Sequence, residues 1–441
     1  MVILQSTQNK QLSSIFARIL LVLTRMMHVY LKWIRIKSVY CFVLMILIFV
    51  LCYLYNTSYS KKTKLEAPCL MNTPFATSTT EIVSDKSPKP RTKTKFILLW
   101  TNPNTYPFLY FGEGNDIFKK KKCEYVNCYV TSNRRLLREL TEFNIVVFNG
   151  PQLGDMMPSD DIPIVRSFRQ KYVYANIEAA VNYPICRNTW NNFFNWTWTY
   201  KLNSDAIWGY IVITNTSNHV IGPKENMDWM SVDDMKNIDN DLKLKLASKH
   251  VAAAWFVSNC NTLSKREFFF NELQTFMSYS NLKADVYGSC GSFQCPKSIM
   301  YRCHDELQRK YYFYLAFENA LSDDYVSEKI LHALNHYTVP VVYGGADYSR
   351  FLPPGSYLDA KKLGARNLAK EMSDIIDNPE IYYRFFRWRN YYNIRSRYES
   401  PDTDDYCRFC AMANDENLMR KNTIYENFSS WWTPEGFCLK R

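Results

Sequence analysis

The stretch Tyr311–Ala360, YYFYLAFENALSDDYVSEKILHALNHYTVPVVYGGADYSRFLPPGSYLDA, contains the pattern that decides the fold. Its apolar, aromatic start predicts a strand, and the β-branched run before the glycines at 344–345 predicts a second strand. Between them, Ser322 is predicted to be the N-cap of a helix, with Asp323 and Asp324 in the first turn near the positive end of the helix dipole. A strand, a helix and a strand in this order predict a parallel α/β sheet.

The predicted helix has an apolar side and a polar cluster. Its apolar stripe consists of Val326, Ile330, Ala333 and Leu334. Tyr325, Glu328 and Lys329 are spaced i, i+3 and i+4, so we expect them on one face. Open α/β sheets bind ligands outside the carboxyl ends of their strands, which is where this helix begins. The polar cluster is therefore a candidate ligand site.

This segment also resembles the donor-binding motif of the α1,3-fucosyltransferases (glycosyltransferase family 10), FxFENxxxxDYVTEK followed by VPVVxG and an FLPPxSYI-like stretch. The matching strings are FENALSDDYVSEK at 317–329, VPVVYG at 339–344 and FLPPGSY at 351–357. Weaker similarity to the same family is found in FNWTWTYKLNSDA at 194–206, VAAAWFVSNCNTLSKREFFFNEL at 251–273, FRWR at 386–389 and CRFC at 407–410. Within the family, the stretch at 171–186 is most similar to the insect fucosyltransferase C group.

The net charge of +12 does not indicate nucleic-acid binding. Residues 1–94 hold 13 Lys and Arg against three acidic residues, whereas the 41 basic and 39 acidic residues after them nearly cancel. A globular part close to neutral lacks the basic surface that nucleic acid requires. Nucleic acid is therefore excluded as an expected partner.

The N-terminal part predicts a membrane anchor. Val39–Tyr55 is a run of 17 residues without a charge, the short end of what spans a bilayer. The basic residues of 1–38 favour a cytosolic tail, and the polar residues 56–94 predict a flexible stem. A cleaved signal peptide is the alternative. Tail, anchor, stem and large domain are the layout of a type II Golgi glycosyltransferase with a lumenal catalytic domain.

Cysteines and sequons are compatible with such a lumenal domain. Cys407 and Cys410 form a CxxC pair, and Cys123 and Cys128 form a second close pair. We interpret these four as disulfide candidates, with a zinc site or a redox motif as alternatives. The odd number of cysteines after the anchor leaves one thiol over, for which Cys69 is the candidate. The candidate glycosylation sites are Asn56, Asn195, Asn215 and Asn427, of which Asn195 is either glycosylated or a packed polar residue.

Two series of apolar strands alternate with polar or helical stretches. The predicted strands of the first series are at residues 96–101, 145–150 and 172–179. Those of the second series are at 251–260, 284–290, 311–319 and 339–345, with a predicted helix over 266–278. The expected fold is α/β, with two domains at 95–247 and 248–441 facing each other across a cleft. The resemblance implies the same arrangement of two Rossmann-like domains, called GT-B. The aromatic, basic residues 381–440 are expected to form helices that close on the core.

The resemblance also implies roles for individual residues. Glu178 follows an apolar strand and matches the position of the catalytic base, although Ala179 and Ala180 replace the Ser-Pro of the family. Arg266 and Lys329 match positions that contact the diphosphate of GDP-fucose, a role that suits cationic side chains. The other matching donor-site residues are Asn319, Tyr325 and Glu328.

We expect no catalytic metal and no cofactor besides the substrate GDP-fucose. Asp-x-Asp pairs occur at 239–241 and 402–404, but neither follows an apolar strand that would place it in a cleft. The expected activity is inverting transfer of fucose to a GlcNAc hydroxyl of a glycoprotein or glycolipid glycan. The alternative is a catalytically silent lumenal protein that binds glycan or nucleotide sugar. The acceptor, core or antennal, and the formation of a homo-oligomer are left open.

Overall fold

The computed structural model of the protein describes residues 93–153 and 161–438. Within these ranges the strands are β1 Lys95–Leu99, β2 Cys128–Thr131, β3 Ile145–Asn149, β4 Lys171–Asn176, β5 Trp196–Thr199, β6 Ala206–Ile207, β7 Ile211–Asn215, β8 Val220–Gly222, β9 Val251–Phe256, β10 Ala284–Tyr287, β11 Tyr311–Phe317, β12 Val339–Tyr343, β13 Leu358–Asp359 and β14 Tyr392–Ser396. The helices are α1 Asp116–Lys120, α2 Gly150–Leu153, α3 Asn240–Leu246, α4 Arg266–Tyr279, α5 Met300–Lys310, α6 Lys329–Asn335, α7 Ala360–Asp377, α8 Pro379–Arg384, α9 Asp405–Asn414, α10 Glu416–Arg420 and α11 Phe428–Trp432.

Two parallel sheets form the framework. The first has six strands in the order β2-β1-β3-β4-β5-β6, and the second has five in the order β10-β9-β11-β12-β13. All six residues of β4 are buried, as expected for a parallel strand covered on both faces. In the second sheet, Phe313 pairs with Val339 and Phe317 with Tyr343. The predicted α/β class with two parallel sheets is confirmed.

A third, antiparallel sheet joins distant parts of the chain. It has the order β14-β7-β8, and Ile394 of β14 pairs with Ile213 of β7. Both of these isoleucines pack in a core cluster with Tyr314, Ile330 and other residues of the second half. The stretch 211–222, which lies in the predicted first domain, is therefore part of the core of the second half.

The C-terminal part returns to the first sheet. Phe409 of α9 stacks on Trp198 of β5 with ring centroids 4.1 Å apart, and Trp432 of α11 packs on Tyr174 of β4 at 4.9 Å. The prediction of closing helices over 381–440 is right for α9 and α11, which pack on the first half. It is wrong for residues 392–396, which form strand β14, and for Tyr382 and Trp388, which pack with core clusters of the second half.

The loop between β11 and α6 differs from the predicted helix start. Helix α6 begins at Lys329, and the residues before it form a turn in which Asp324 has a positive φ of 58°. Ser322 does not cap a helix, because its hydroxyl accepts a hydrogen bond from the Val181 backbone N–H at 3.3 Å. A Cβ on Gly345 would come within 2.6 Å of the Ser322 nitrogen, so this close approach of two backbones requires glycine.

Disulfides join the two close cysteine pairs to each other. Cys123 bonds Cys407, and Cys128 bonds Cys410, so the zinc and redox alternatives do not apply to these cysteines. Three further disulfides are present in the described ranges: Cys186–Cys438, Cys260–Cys290 and Cys295–Cys303. The predicted free thiol, Cys69, lies outside these ranges.

The predicted tail at 1–38, the anchor at 39–55, Asn56 and nearly all of the stem at 56–94 also lie outside the described residues. Among the helices in 93–153 and 161–438, none combines the length and the apolar character needed to cross a membrane.

Candidate functional site

The carboxyl ends of the two parallel sheets meet at a cleft. Glu178 lies two residues after β4 of the first sheet, and Tyr325 lies in the loop after β11 of the second. The Tyr325 hydroxyl donates a hydrogen bond to Oε2 of Glu178 at 3.3 Å. A cavity of about 370 Å³ is lined from one side by Glu178 and from the other by Asn259 and Asn319. This position at the strand ends is the usual ligand site of open α/β sheets.

Glu178 is a half-buried carboxylate with a raised pKa. Its backbone N–H donates to Oδ1 of Asn176 at 2.8 Å, which fixes the turn after β4. Burial raises the pKa of Glu178, and the Lys329 ammonium and the Tyr325 hydroxyl offset part of that rise. A carboxylate with a raised pKa is a stronger base than an exposed one, which suits proton abstraction from a hydroxyl.

The alanines that replace Ser-Pro after Glu178 are part of a packed core. Ala179 and Ala180 are fully buried. The Ala180 N–H donates to the Tyr200 hydroxyl at 2.9 Å, so the backbone after Glu178 is anchored without the missing serine.

Lys329 is held in place by a buried carboxylate. The Lys329 Nζ lies 2.9 Å from Oε2 of Glu318, whose side chain is only 1% exposed. The same carboxylate accepts hydrogen bonds from the backbone N–H and the hydroxyl of Ser327, at 2.9 and 2.8 Å. Burial lowers the pKa of Lys329, but the carboxylates of Glu318 and Glu328 more than offset this, so the pKa is raised. The ammonium is therefore a permanent positive charge in the cleft.

Tyr325 serves as a neutral hydrogen-bond donor. Burial, followed by the charges of Glu318 and Glu178, raises the pKa of its hydroxyl well above the usual 10. Its ring packs edge-on against Tyr200 of the first half with centroids 5.0 Å apart. The predicted cluster of Tyr325, Glu328 and Lys329 does form, but a loop brings it together rather than the face of one helix.

Asn319 and Glu328 have polar groups whose hydrogen-bonding capacity the protein satisfies only in part. The Asn319 Oδ1 is buried without a hydrogen-bond partner in the protein, and Asn319 lines the cavity, so this oxygen can accept from a ligand. The Glu328 carboxylate is 55% exposed and lies 3.9 Å from the Lys329 ammonium. Both residues therefore have an oxygen that can accept a hydrogen bond from a polar ligand.

Arg266 is placed differently from the other predicted donor-site residues. It is the first residue of α4 and is buried, and its guanidinium donates to the carbonyls of Phe317 and Asn259 at 2.6 and 3.1 Å. Its Nε is buried without a hydrogen-bond partner in the protein. Arg266 therefore joins the last residue of β11 to the loop after β9, and it is not among the residues that line the cavity.

The sequence analysis did not identify Glu318 as a candidate site residue, although the structure places it beside Lys329. The available signal was an acidic side chain at the end of a wholly apolar strand, where an unpaired charge would be costly. Such a residue requires a cation nearby, and Lys329 is that cation. The sequence motif contains both Glu318 and Lys329, but it did not show that they form an ion pair.

Other predicted positions have structural roles. Asn195 is buried, and its amide nitrogen donates to the Thr423 carbonyl at 2.7 Å, so a glycan on this nitrogen is incompatible with the folded protein. Asn215 is half-buried at the end of β7, and Asn427 is exposed. The Asp-x-Asp residues act at helix starts: Asp239 caps α3, and Asp404 caps α9 while pairing with Lys121.

Comparison with known proteins agrees with this geometry. The family model "Fucosyltransferase, N-terminal" matches residues 92–211, and "Glycosyltransferase family 10 (fucosyltransferase) C-term" matches residues 246–431. Alpha-(1,3)-fucosyltransferase C of Drosophila melanogaster is 34% identical over 352 residues, which are 77% of this chain and 78% of that protein. Glycoprotein 3-alpha-L-fucosyltransferase A of the same species is 28% identical over 335 residues, 75% of this chain and 59% of that protein.

A crystal structure of an α1,3-fucosyltransferase with GDP-fucose is also similar, with a TM-score of 0.44, 15% identity, and coverage of 79% of this chain and 96% of that one. The fold and the site define an α/β protein with two parallel sheets, in which a carboxylate and an ammonium lie where the carboxyl ends of the sheets meet. The chain belongs to glycosyltransferase family 10, the fucosyltransferases.

Proposed function

We propose that the protein transfers fucose from GDP-fucose, with inversion, to a GlcNAc hydroxyl of a glycoprotein or glycolipid glycan, forming an α1,3 linkage. The observation that carries this proposal is the pairing of Glu178 with Tyr325 across the cleft, beside the fixed ammonium of Lys329. Two relatives whose names state this linkage, fucosyltransferases C and A, support it.

In this proposal each group has a role that its position supports. As the acceptor oxygen bonds to the anomeric carbon of fucose, Glu178 takes the proton of that hydroxyl and the bond to the diphosphate breaks. Lys329 lies on the other half of the cleft, where its charge can stabilise the leaving GDP. Tyr325 orients the base through its hydrogen bond. Asn319, which lines the cavity, is the remaining candidate for direct contact with the donor, whereas Arg266 supports the site from behind through its bonds to the carbonyls of Phe317 and Asn259. No metal is needed in this scheme.

We further propose that this reaction takes place in the Golgi lumen, with residues 39–55 as the type II anchor. Support comes from the disulfides of the described part of the chain, which are typical of proteins that fold in an oxidising compartment.

The test is fucose transfer by the full chain in detergent micelles, with GDP-fucose, with and without EDTA. The acceptor panel contains an N-glycan core, N-acetyllactosamine and LacdiNAc oligosaccharides. We expect product from the wild type in both conditions, and a loss of rate by about 10²–10⁴-fold in Glu178→Gln with GDP-fucose binding retained. Saturable GDP-fucose binding without product would favour the silent binder, and loss of activity with EDTA would contradict the metal-free scheme.

A further inference from the structure

A second cavity lies beside the turn that carries Glu178, with Ile177 in its wall. It measures about 380 Å³, within the range of about 300–1,000 Å³ that small-molecule sites occupy. The side chains used in the argument are Tyr106, Tyr110, Lys121, Ile177, Tyr398 and Tyr406. Ile177 directly precedes the candidate base, and burial, followed by the charge of Glu178, raises the pKa of the Tyr106 hydroxyl to about 12. The second cavity is thus adjacent to the reacting groups.

The rim of this cavity is made of exposed aromatic rings. Tyr106, Tyr110 and Tyr398 are 43%, 59% and 42% exposed and lie around one cavity, so their rings form a contiguous aromatic surface that a ligand can reach. Tyr106 and Tyr110 pack edge to face with centroids 5.5 Å apart. The floor is fixed, because Tyr406 is buried in α9 and packs on Phe111 at 4.8 Å.

The charge inside the cavity is compensated. Lys121 forms an ion pair with the buried Asp404, and its ammonium lies 5.3 and 5.2 Å from the ring centroids of Tyr398 and Tyr406. Lys121 is the one charged residue among those that line this cavity, and the other seven are tyrosine, tryptophan and isoleucine, so the lining is mainly aromatic and uncharged. An uncharged ligand with apolar and hydroxyl-bearing faces fits this lining.

We propose that this aromatic cavity holds a neutral pyranose of the acceptor glycan, next to the sugar whose hydroxyl faces Glu178. The C–H face of such a sugar packs on the tyrosine rings, and its hydroxyl groups form hydrogen bonds with the phenol oxygens. This inference rests on the proposed function, because it deepens the description of the acceptor.

The decisive variant is Tyr110→Ala, since this ring is the most exposed of the rim and contacts neither Glu178 nor the donor-site residues. We expect it to raise the acceptor KM by about tenfold while the GDP-fucose KM and kcat stay within about twofold. Tyr110→Phe keeps the ring and should restore most of the acceptor affinity. Tyr279→Ala, at an exposed tyrosine at the end of α4, is the control and should leave both KM values unchanged.

Saturation-transfer NMR with N-acetyllactosamine and with a short N-glycan core oligosaccharide measures binding without turnover. Weaker signals in Tyr110→Ala than in Tyr279→Ala would support the site even where no product forms, and a sialylated N-acetyllactosamine should bind more weakly than the neutral one. An acceptor KM and an NMR signal that are both unchanged in Tyr110→Ala and Tyr398→Ala would overturn the proposal. Absence of transfer by the wild type would instead overturn the proposed function.

Discussion

At the scale of single residues, Tyr325 sets the pH dependence of the candidate base. The pKa of Glu178 is raised above its usual 4.5 by burial, and its hydrogen bond to Tyr325 restrains that rise. Because the base must be deprotonated, activity should increase with pH through this raised pKa. Tyr325→Phe removes the restraint, so we expect the acidic limb of the kcat–pH profile to move to higher pH. An acidic limb that stays in place or moves down in Tyr325→Phe would contradict Glu178 as the base.

A second prediction concerns the buried ion pair behind the cleft. Glu318→Gln leaves the half-buried Lys329 ammonium without its counter-charge and loosens the loop that Ser327 anchors. Removing one member of a buried pair costs about 3–5 kcal/mol, so a large fall in the free energy of unfolding is expected in urea titrations. Glu328→Gln is the matched control: its carboxylate is exposed, and the change in stability should stay within about 0.5 kcal/mol. Equal stability of the two variants would show that the Glu318 pair is not important for the fold.

The candidate site could be predicted at this scale only in part. The motif at 317–329 indicated the cleft residues that the structure brings together, because residue types and spacing carry the chemistry. It could not show that Arg266 donates to two backbone carbonyls or that Ser322 contacts Val181. Those contacts depend on how distant segments meet, and periodicity holds no information about that.

At the scale of elements, a histidine cluster joins α5 to α6. The ring of His304 lies 5.1 and 4.3 Å from those of His332 and His336, centroid to centroid. Burial, followed by the neighbouring histidines, lowers the pKa of His304 to about 4. The facing charged groups are Asp305, which raises the pKa of His304 and His336, and Lys329 and Lys249, which lower those of His332 and His336 respectively. The folded protein therefore holds these rings uncharged.

This cluster predicts acid sensitivity of the fold. A histidine with a lowered pKa in the folded state disfavours folding once the unfolded chain takes up protons, so stability should fall as the pH drops from about 6.5 towards about 4. His304→Phe removes a titrating group, and its ring can keep the contact with Phe256. We expect a shallower loss of the free energy of unfolding over that pH range in His304→Phe. The exposed His219 provides the control, because His219→Gln should leave the slope unchanged; a slope equal to wild type in both variants would contradict the prediction.

The strands with long apolar runs were predicted correctly, whereas the packing of segments from one half of the chain on the other half was not predicted. The apolar runs that include β1, β3, β4, β9, β10, β11 and β12 were all recognised, because a covered parallel strand has an almost uninterrupted apolar sequence. Strands β7 and β14 pair with each other across more than half of the described chain, a contact about which the local sequence of either strand holds no information. The start of α6 was placed too early because a serine followed by two aspartates is a good N-cap pattern, but the bonds to Glu318 hold that segment as a loop.

At the scale of the whole molecule, the disulfides tie the C-terminal part to the first sheet. We predict that peptide mass mapping without reduction will recover Cys123 with Cys407 and Cys128 with Cys410, and not the neighbouring pairs within each motif. The double variant Cys128→Ser, Cys410→Ser should lower the free energy of unfolding by about 2–4 kcal/mol. Cys295→Ser, Cys303→Ser opens a bridge of sequence separation 8 instead of 282, so the smaller cost is expected there. Recovery of a Cys407–Cys410 peptide would contradict the pairing.

The same bridges set an order for biosynthesis. The ribosome releases the strands of the first sheet earliest, yet Cys123, Cys128 and Cys186 meet their partners only after residues 407, 410 and 438 have emerged. The second sheet is made later, but its two bridges close over separations of 30 and 8 residues. The half that is translated first is therefore completed last. A chain interrupted between residues 303 and 407 has Cys123, Cys128 and Cys186 without their partners, and these thiols are open to exchange with other proteins.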